Sequence, residues 1–195
     1  MSRQQAGTIS DAVPVAPRAA QARIITTALD LFAKHGVGGT SLQMIADEIG
    51  VTKAAVYHQF KTKDEIVLSA AEAELARLQA VIHAAEGEPS PTGARDVLVT
   101  GIVDLAVQRR HTVSIIMSDP VIVGFFAEHE PFRDAMDRVC RLLMGNTTRE
   151  ARVSAAMLTA AISGAVLHPL VTGLDDATLQ SQLLQLTRRF LMPSS

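Results

Sequence analysis

The residues best suited to chemistry lie between Thr40 and Lys63, in the stretch TSLQMIADEIGVTKAAVYHQFKTK. Lys53, Tyr57 and Lys63 are able to donate hydrogen bonds to phosphate oxygens, and such contacts fix the position of a protein along a nucleic acid. Thr40 and Ser41 precede a predicted helix, whose free backbone amides also favour phosphate. The stretch therefore predicts a surface that meets a polyanion.

A short helix after Thr52 carries most of this chemistry. At about 100° per residue, Val56 and Phe60 fall on one side of that helix. The other side presents small and hydrogen-bonding residues, namely Ala54, Ala55, Tyr57, His58 and Gln59. Small side chains let a helix backbone approach base edges, and alanine methyl groups contact thymine methyl groups. This side is therefore the predicted base-reading surface.

The elements that position these residues are two short helices joined by a glycine turn. Thr40-Ser41 offers an N-cap for the first, Gly50 supplies the turn, and Thr52 caps the second. Two helices this short cannot each form a core, so the pattern predicts a helix-turn-helix, whose second helix enters the major groove. An ordinary helical hairpin with a solvated face is the competing interpretation, since Lys, His and Gln are common on surfaces.

The rest of the chain predicts an all-α fold of about nine helices. Helical periodicity recurs at about 64–85, 92–110, 113–127, 131–145, 149–171 and 176–192, and no alternating strand pattern appears. Thr62 and Glu65 form a predicted capping box at the start of the fourth helix. We divide the chain into a disordered tail (1–16), a helix-turn-helix domain (17–63, motif about 41–60) and a helical ligand-binding and dimerisation domain (64–195).

Composition and charge narrow the function further. Residues 1–63 hold seven Lys/Arg against four Asp/Glu, a charge of +3, whereas residues 64–195 hold eleven against sixteen, a charge of −5. A basic N-terminal part is typical of nucleic-acid binding. The single cysteine, Cys140, excludes an intramolecular disulfide, and with no signal peptide the expected compartment is the cytoplasm. Residues 153–174 are uncharged, but their Ser, Thr and Gly content favours a buried helix over a membrane span.

No residue pattern predicts catalysis, a metal or a cofactor. His111, His129, His168 and Cys140 lack the spacing of metal ligands. Neither a glycine-rich phosphate loop nor a nucleophile elbow occurs in the sequence. We therefore expect a protein that is not an enzyme.

The segment from about Arg23 to Leu68 resembles the tetracycline-repressor (TetR) family. The matching residues are Ala28-Leu29-Asp30-Leu31-Phe32, Gly36, Thr40-Ser41, Ile45-Ala46, Ile49-Gly50-Val51-Thr52, Tyr57, Phe60, Lys61 and Lys63. The resemblance implies an all-α homodimer with a three-helix DNA-binding unit, a linking fourth helix and an effector-binding body. By matching positions it implies DNA contacts from Thr40, Ser41, Gln43, Thr52, Lys53, Ala54, Ala55, Tyr57, His58, Gln59 and Lys63. The family often has glycine where Ala54 or Ala55 stands.

A second predicted site is an effector pocket in the C-terminal domain. Its expected lining is apolar and adaptable, comprising Leu78, Ile82, Met117, Phe125, Phe126, Phe132, Met136, Cys140 and Met144. Periodicity alone leaves a packed core equally open for these residues. The resemblance implies a cavity, and the lining then predicts an apolar small-molecule effector.

The last two helices predict a dimer interface. Small or branched residues at close helical spacing form it: Ala155, Thr159, Ile162, Ser163, Val166, Leu167, Leu183, Leu186 and Phe190. A monomer's own core is the alternative, and the two uses can share residues. Two half-sites on DNA require two copies of the chain, which favours the dimer.

Together these interpretations predict a ligand-responsive transcriptional regulator that binds a palindromic operator, with repression as the family default. Two other classes stay open. One is a helical-bundle small-molecule-binding protein or enzyme without a DNA role, and the other is an interaction scaffold whose helix-turn-helix has lost its nucleic-acid role.

Overall fold

A computed structural model describes residues 19–110, 112, 114–115, 124, 126 and 128–191. Within these ranges every regular element is helical, which confirms the all-α prediction. The elements are α1 (Ala19–Gly39), α2 (Leu42–Ile49), α3 (Lys53–Gln59), α4 (Lys63–Glu86), α5 (Pro91–Gln108), α6 (Glu130–Met144), α7 (Arg149–Ala165), a 3₁₀ turn (Pro169–Val171) and α8 (Asp176–Leu191). The predicted tail at 1–16, and most of the helix predicted at 113–127, lie outside the described residues.

Hydroxyl side chains determine where five of the helices begin. Ser41, Thr52, Thr62, Ser90 and Thr148 each accept a hydrogen bond from the backbone N–H three residues later. Each bond satisfies one of the amides that a helix N-terminus leaves without a partner. The predicted caps of α2, α3 and α4 are thus confirmed.

The capping box predicted for α4 is only half correct. Thr62 Oγ1 accepts from the Glu65 N–H at 3.1 Å, as predicted. The Glu65 carboxylate, however, accepts from the Lys61 N–H at 2.7 Å. It reaches one residue beyond the cap, and so ties the end of the α3–α4 loop to α4.

Two glycines shape the N-terminal helices. Gly36 has φ 73° and ψ 160°, which ends regular helical geometry inside α1. Gly50 has φ 77° and ψ 38°, and its N–H donates to Ala46 O and Asp47 O at the end of α2. A side chain with a Cβ adopts this left-handed region only with strain, so glycine permits the sharp turn into α3.

One helix is shorter than predicted. The pattern at 149–171 predicts a single helix, but α7 ends at Ala165 and the chain continues as the 3₁₀ turn Pro169–Val171. Pro169 disfavours helical geometry at the residue before it and cannot donate to the helix ladder. Among the described residues, no helix has the length and apolarity needed to cross a bilayer.

Buried side chains form two clusters that meet on α4. The N-terminal cluster comprises buried residues of α1, α2 and α3 with Ile66, Val67, Ala70 and Ala71 of α4, and it also includes Phe126. The body cluster comprises buried residues of α4 from Leu75 onward together with α5, α6, α7 and α8. One continuous helix therefore takes part in both cores.

The closest helix pair in the body is α4 with α5. An ideal Cβ built on Gly101 of α5 would lie 2.3 Å from Cγ1 of Val81 on α4. Carbon atoms pack at about 3.5–4.0 Å, so no larger residue fits at Gly101 without movement of its neighbour. This contact fixes how near α4 lies to α5.

Candidate functional site

The outer side of α3 is exposed, as the predicted base-reading surface requires. Val56 is fully buried and Phe60 is 5% exposed, and both belong to the N-terminal cluster. The opposite side is open to solvent at Lys53, Ala54, Ala55, Tyr57 and His58, whereas Gln59 is half-buried. A helix held by one side on α1 and α2, with its other side uncovered, is the arrangement that major-groove reading needs.

Two predicted contact residues combine capping with a free donor. Ser41 Oγ accepts from the Met44 N–H at 3.2 Å, and Thr52 Oγ1 accepts from the Ala55 N–H at 3.2 Å. Capping uses an oxygen lone pair, so each hydroxyl keeps its O–H to donate. Gln43 is exposed, and its amide donates to Asp47 Oδ1 at 2.7 Å. Ser41 and Thr52 are thus well placed to donate to phosphate oxygens.

Thr40 and Lys63 are the two predicted contact residues whose side chains bind backbone carbonyl groups of α1. Thr40 is 2% exposed, and its hydroxyl lies 2.9 Å from Gly36 O and 3.3 Å from Leu31 O. Lys63 Nζ donates to Val37 O at 2.6 Å and is half-buried. Both side chains hold the segment between α1 and α2 in place, so we leave them out of the direct contact set.

Lys61 is a cation on this surface that the predicted contact set omits. Its Nζ donates to Tyr57 O at 2.9 Å and lies 4.6 Å from the centroid of the Tyr57 ring. A lysine over an aromatic face is attracted by the ring quadrupole. The i, i+4 spacing of Tyr57 and Lys61 is visible in the sequence and could have suggested the pair, although α3 ends at Gln59.

An apolar cavity of about 480 Å³ lies between α4, α5, α6 and α7. Four predicted lining residues are found there: Leu78, Phe126, Phe132 and Met136. The Phe126 and Phe132 rings pack together, with centroids 4.4 Å apart. Phe132 also packs against both clusters. The cavity therefore shares an aromatic wall with the core beneath the helix-turn-helix.

Three other predicted lining residues lie in the packed body cluster instead. Ile82 is fully buried, Cys140 is 3% exposed and donates its thiol to Asn146 O, and Met144 packs against the same cluster. Their helix faces turn toward core neighbours because α4 packs against two other helices of the body and α6 packs against three. Met117 and Phe125 lie outside the described residues.

The cavity also has a charged edge that the sequence reading missed. Glu74 of α4 and Arg109, the residue after α5, both line it. Glu74 Oε1 accepts from Arg109 Nη2 at 2.7 Å and Nε at 3.1 Å, and also from Arg77 Nη1 at 2.8 Å. Thirty-five residues separate Glu74 from Arg109, so no local pattern could pair them.

The predicted dimer residues divide between core and surface. Ala155, Ile162, Val166 and Leu183 are at most 8% exposed and belong to the body cluster, so the alternative of a monomer's own core applies to them. Thr159 and Ser163 are half-buried and line the cavity together with Leu167, which is 40% exposed. Leu186 and Phe190 of α8 remain on the surface at 56% and 54% exposure.

Two exposed apolar residues on α7 were missing from the predicted dimer set. Val153 and Met157 are 59% and 60% exposed, one helical turn apart. The two side chains together form a small exposed apolar patch on α7. They occupy the opposite side of α7 from buried Ala155 and Ile162.

Comparison with known proteins identifies the N-terminal segment. Residues 24–70 match the model of "Bacterial regulatory proteins, tetR family". A curated relative, the uncharacterized HTH-type transcriptional regulator YerO of Bacillus subtilis (strain 168), is 50% identical over 50 residues. That alignment covers 26% of this chain and 17% of the relative.

Solved structures share the fold over almost the whole chain. A bacterial regulatory protein of the tetR family from Rhodococcus RHA1 has a TM-score of 0.72 at 21% identity, covering 92% of this chain and 100% of that chain. The ketosteroid transcriptional regulator KstR2 of Mycobacterium tuberculosis has a TM-score of 0.69 at 18% identity, covering 90% and 95%. SmeT, solved as a complex with triclosan, has a TM-score of 0.67 at 22% identity, covering 91% and 97%. At these identities the likeness is one of fold.

Proposed function

Because residues 24–70 match the model of the tetR family of bacterial regulatory proteins, we propose that this chain is a ligand-responsive transcriptional repressor of that family. It binds a palindromic operator as a homodimer and leaves it when a small molecule fills the cavity. The observation that carries the proposal is the uncovered outer side of α3, presented by a helix whose inner side is anchored through Val56 and Phe60.

The proposed contact set has two parts. Ser41, Thr52, Lys53, Tyr57 and Lys61 donate to phosphates and fix the register of α3. Base edges are read by the residues of α3 that face outward, which are Ala54, Ala55, His58 and Gln59. Without a Gly at 54 or 55, the α3 backbone lies one methyl group further from the base edges than a glycine would allow.

Homodimerisation follows from the geometry of a palindrome. Each half-site takes one α3, and the two half-sites lie about 34 Å apart, one helical turn of DNA. Val153 and Met157 of α7 with Leu186 and Phe190 of α8 supply exposed apolar surface for a self-complementary interface. This set replaces the buried members of the predicted dimer surface.

The effector response is proposed to pass through α4. Ile66 and Ala70 of α4 pack in the N-terminal cluster, whereas Glu74, Leu75 and Leu78 line the cavity. A ligand that binds one position of α4 better than another shifts the population toward that position, and by linkage DNA binding shifts as well.

The experiment that tests this function is selection of bound sequences from random DNA with the purified full-length chain. Recovery of a palindrome whose half-sites are one helical turn apart is the expected result. Failure to enrich any sequence would remove the DNA-binding proposal and favour a small-molecule-binding protein without a DNA role.

Two substitutions then test the assignment of α3 on the selected DNA. Lys53→Ala removes one phosphate contact per protomer and two per bound dimer, so the slope of log K against log salt concentration becomes shallower by about 1.8. Tyr57→Ala removes one neutral hydrogen bond per protomer and two per bound dimer, so it weakens binding by about 5- to 150-fold. Fluorescence anisotropy at several salt concentrations measures both effects.

Arg149→Ala is the matched control, because Arg149 is an exposed cation at the start of α7. It should leave both affinity and salt slope unchanged. If Arg149→Ala and Lys53→Ala change the slope equally, the effect is one of overall charge and α3 does not make the proposed contact.

A further inference from the structure

The cavity has one polar end, and that end has more positive than negative charge. Among the described residues, Glu74 and Arg109 are the charged side chains that line it. Arg77 also bonds to Glu74, so two guanidinium groups share one carboxylate. These three side chains therefore carry an excess of one positive charge next to a chamber whose other described lining residues are apolar except for Thr159 and Ser163.

Arg109 has unused hydrogen-bonding capacity within this cluster. Its Nε and Nη2 donate to Glu74 Oε1, whereas no described residue accepts from its Nη1. A guanidinium presents five donors in a planar fork that matches a carboxylate. The Arg109 side chain is 36% exposed, so it is accessible to a molecule that enters the cavity.

Neighbouring charges do not cancel this excess completely. Arg109 is the C-cap of α5, where the helix end carries about half a negative charge that falls off within one turn. Arg110 is engaged elsewhere, in an ion pair with Asp176 at 2.9 Å. Recognition of an anion here thus depends on direct hydrogen bonds from Arg109 more than on a long-range field.

From this arrangement we infer that the effector is an apolar carboxylic acid, whose hydrocarbon part fills the chamber and whose carboxylate pairs with Arg109. This inference rests on the proposed function, because it names the ligand class of the same cavity. The apolar walls include Leu78, Phe132 and Met136. Their low dielectric strengthens a charged hydrogen bond once water is excluded.

The test compares three probes that share one tail and differ only in the head group. Dodecanoate, dodecan-1-ol and dodecylammonium are titrated into the purified chain below their aggregation concentrations, with calorimetric detection. Dodecanoate is expected to bind most tightly. Equal or tighter binding of the alcohol or the ammonium compound would overturn the inference.

Substitutions at the charged edge give the second arm. Arg109→Gln should weaken dodecanoate binding by about 10- to 100-fold, the worth of a charged hydrogen bond, and leave dodecan-1-ol binding unchanged. Glu74→Gln should strengthen dodecanoate binding, because it removes the like charge that competes for Arg109. Arg110→Gln is the matched control, since it removes a neighbouring guanidinium that does not line the cavity, and it should have no effect.

Operator binding by the same preparations separates the two proposals. If the chain retains operator binding but Arg109→Gln leaves dodecanoate affinity unchanged, the ligand class is wrong and the regulator stands. If dodecanoate binds through Arg109 but no DNA sequence is ever selected, the ligand class stands and the regulatory function is wrong.

Discussion

The contact between Gly101 and Val81 allows a quantitative prediction about how α4 is positioned. The change is Gly101→Ala, which adds one methyl group to α5. That methyl would lie 2.3, 2.9 and 3.2 Å from Cγ1, Cγ2 and Cβ of Val81. All three distances are shorter than the usual carbon separation of about 3.5–4.0 Å, so the two helices must separate or Val81 must rotate.

The cost can be worked out from two opposing terms. Valine in a helix has one strongly preferred rotamer, so the clash is relieved mainly by backbone movement, at about 1–3 kcal/mol. Replacing glycine by alanine inside a helix returns about 1 kcal/mol of helix propensity. A carbon–carbon distance of 2.3 Å is a severe clash, so we take the cost of relieving it from the upper part of the range of about 1–3 kcal/mol. After the gain in helix propensity is subtracted, we expect Gly101→Ala to lower the free energy of unfolding by about 1–2 kcal/mol.

The V81A background is the matched control, because it removes both Cγ atoms. There, Gly101→Ala should be neutral or stabilise the protein by up to about 1 kcal/mol, because only the longest of the three contacts remains, 3.2 Å to the Cβ at position 81. The four proteins are the unsubstituted chain, the two single variants Gly101→Ala and Val81→Ala, and the double variant. Urea unfolding of all four at one fixed protein concentration measures the coupling energy between the two positions, which we expect to be about 2 kcal/mol. The reasoning would be refuted if Gly101→Ala stabilised the protein while Val81 is present, or if the coupling energy were near zero.

Two other predictions concern the ion pair at the end of α4 and the dimer surface. Arg138 donates to both carboxylate oxygens of Glu86, at 2.9 and 2.6 Å. This hydrogen bonding lowers the pKa of Glu86 below its usual value of 4.5. The pair therefore stabilises the fold above pH 4.5 and loses this contribution as the pH falls through the lowered pKa. Glu86→Gln should lower the free energy of unfolding by less than about 1 kcal/mol near neutral pH, because the pair is partly exposed, and should not change it in strong acid. Urea unfolding of both proteins at the two pH values measures this. A stability difference between the two proteins that persists in acid would contradict the prediction. Met157→Glu combined with Phe190→Glu should shift the sedimenting species from dimer to monomer with the helical circular dichroism unchanged, whereas a dimer that persists would move the interface elsewhere.

Local signals made the N-terminal helices predictable. A hydroxyl before each helix, a glycine after α2 and an apolar face on α3 are all read within a few residues. The same signals gave the exposed side of α3, because Val56 and Phe60 leave only one way to orient so short a helix. The inward orientation of Thr40 and Lys63 could not be predicted in this way, because carbonyl groups of α1 hold these side chains and not residues of their own helices.

The body was harder to predict because its helices are apolar on more than one side. Ile162 and Met157 both fit a helical apolar pattern on α7, yet Ile162 is 3% exposed and Met157 is 60% exposed. Only the position of the neighbouring helices decides between them. For the same reason the cavity contains Met136 while Cys140, one turn further along α6, packs in the core.

The continuity of α4 supports the proposed coupling between the cavity and DNA binding in a symmetric dimer. Glu74 lies about 16 Å along the helix axis from Lys63, so a tilt of about 5° at the cavity moves the start of α4 by about 1.4 Å. The 3.1 Å hydrogen bond from Glu65 to Thr62 and the bond from Lys61 to Glu65 carry that movement to the end of α3. In a symmetric dimer the two α3 helices move in opposite senses, so their separation changes by about 3 Å. Hydrogen bonds to base edges tolerate only about 0.5 Å, so a tilt of this size is sufficient to lose them.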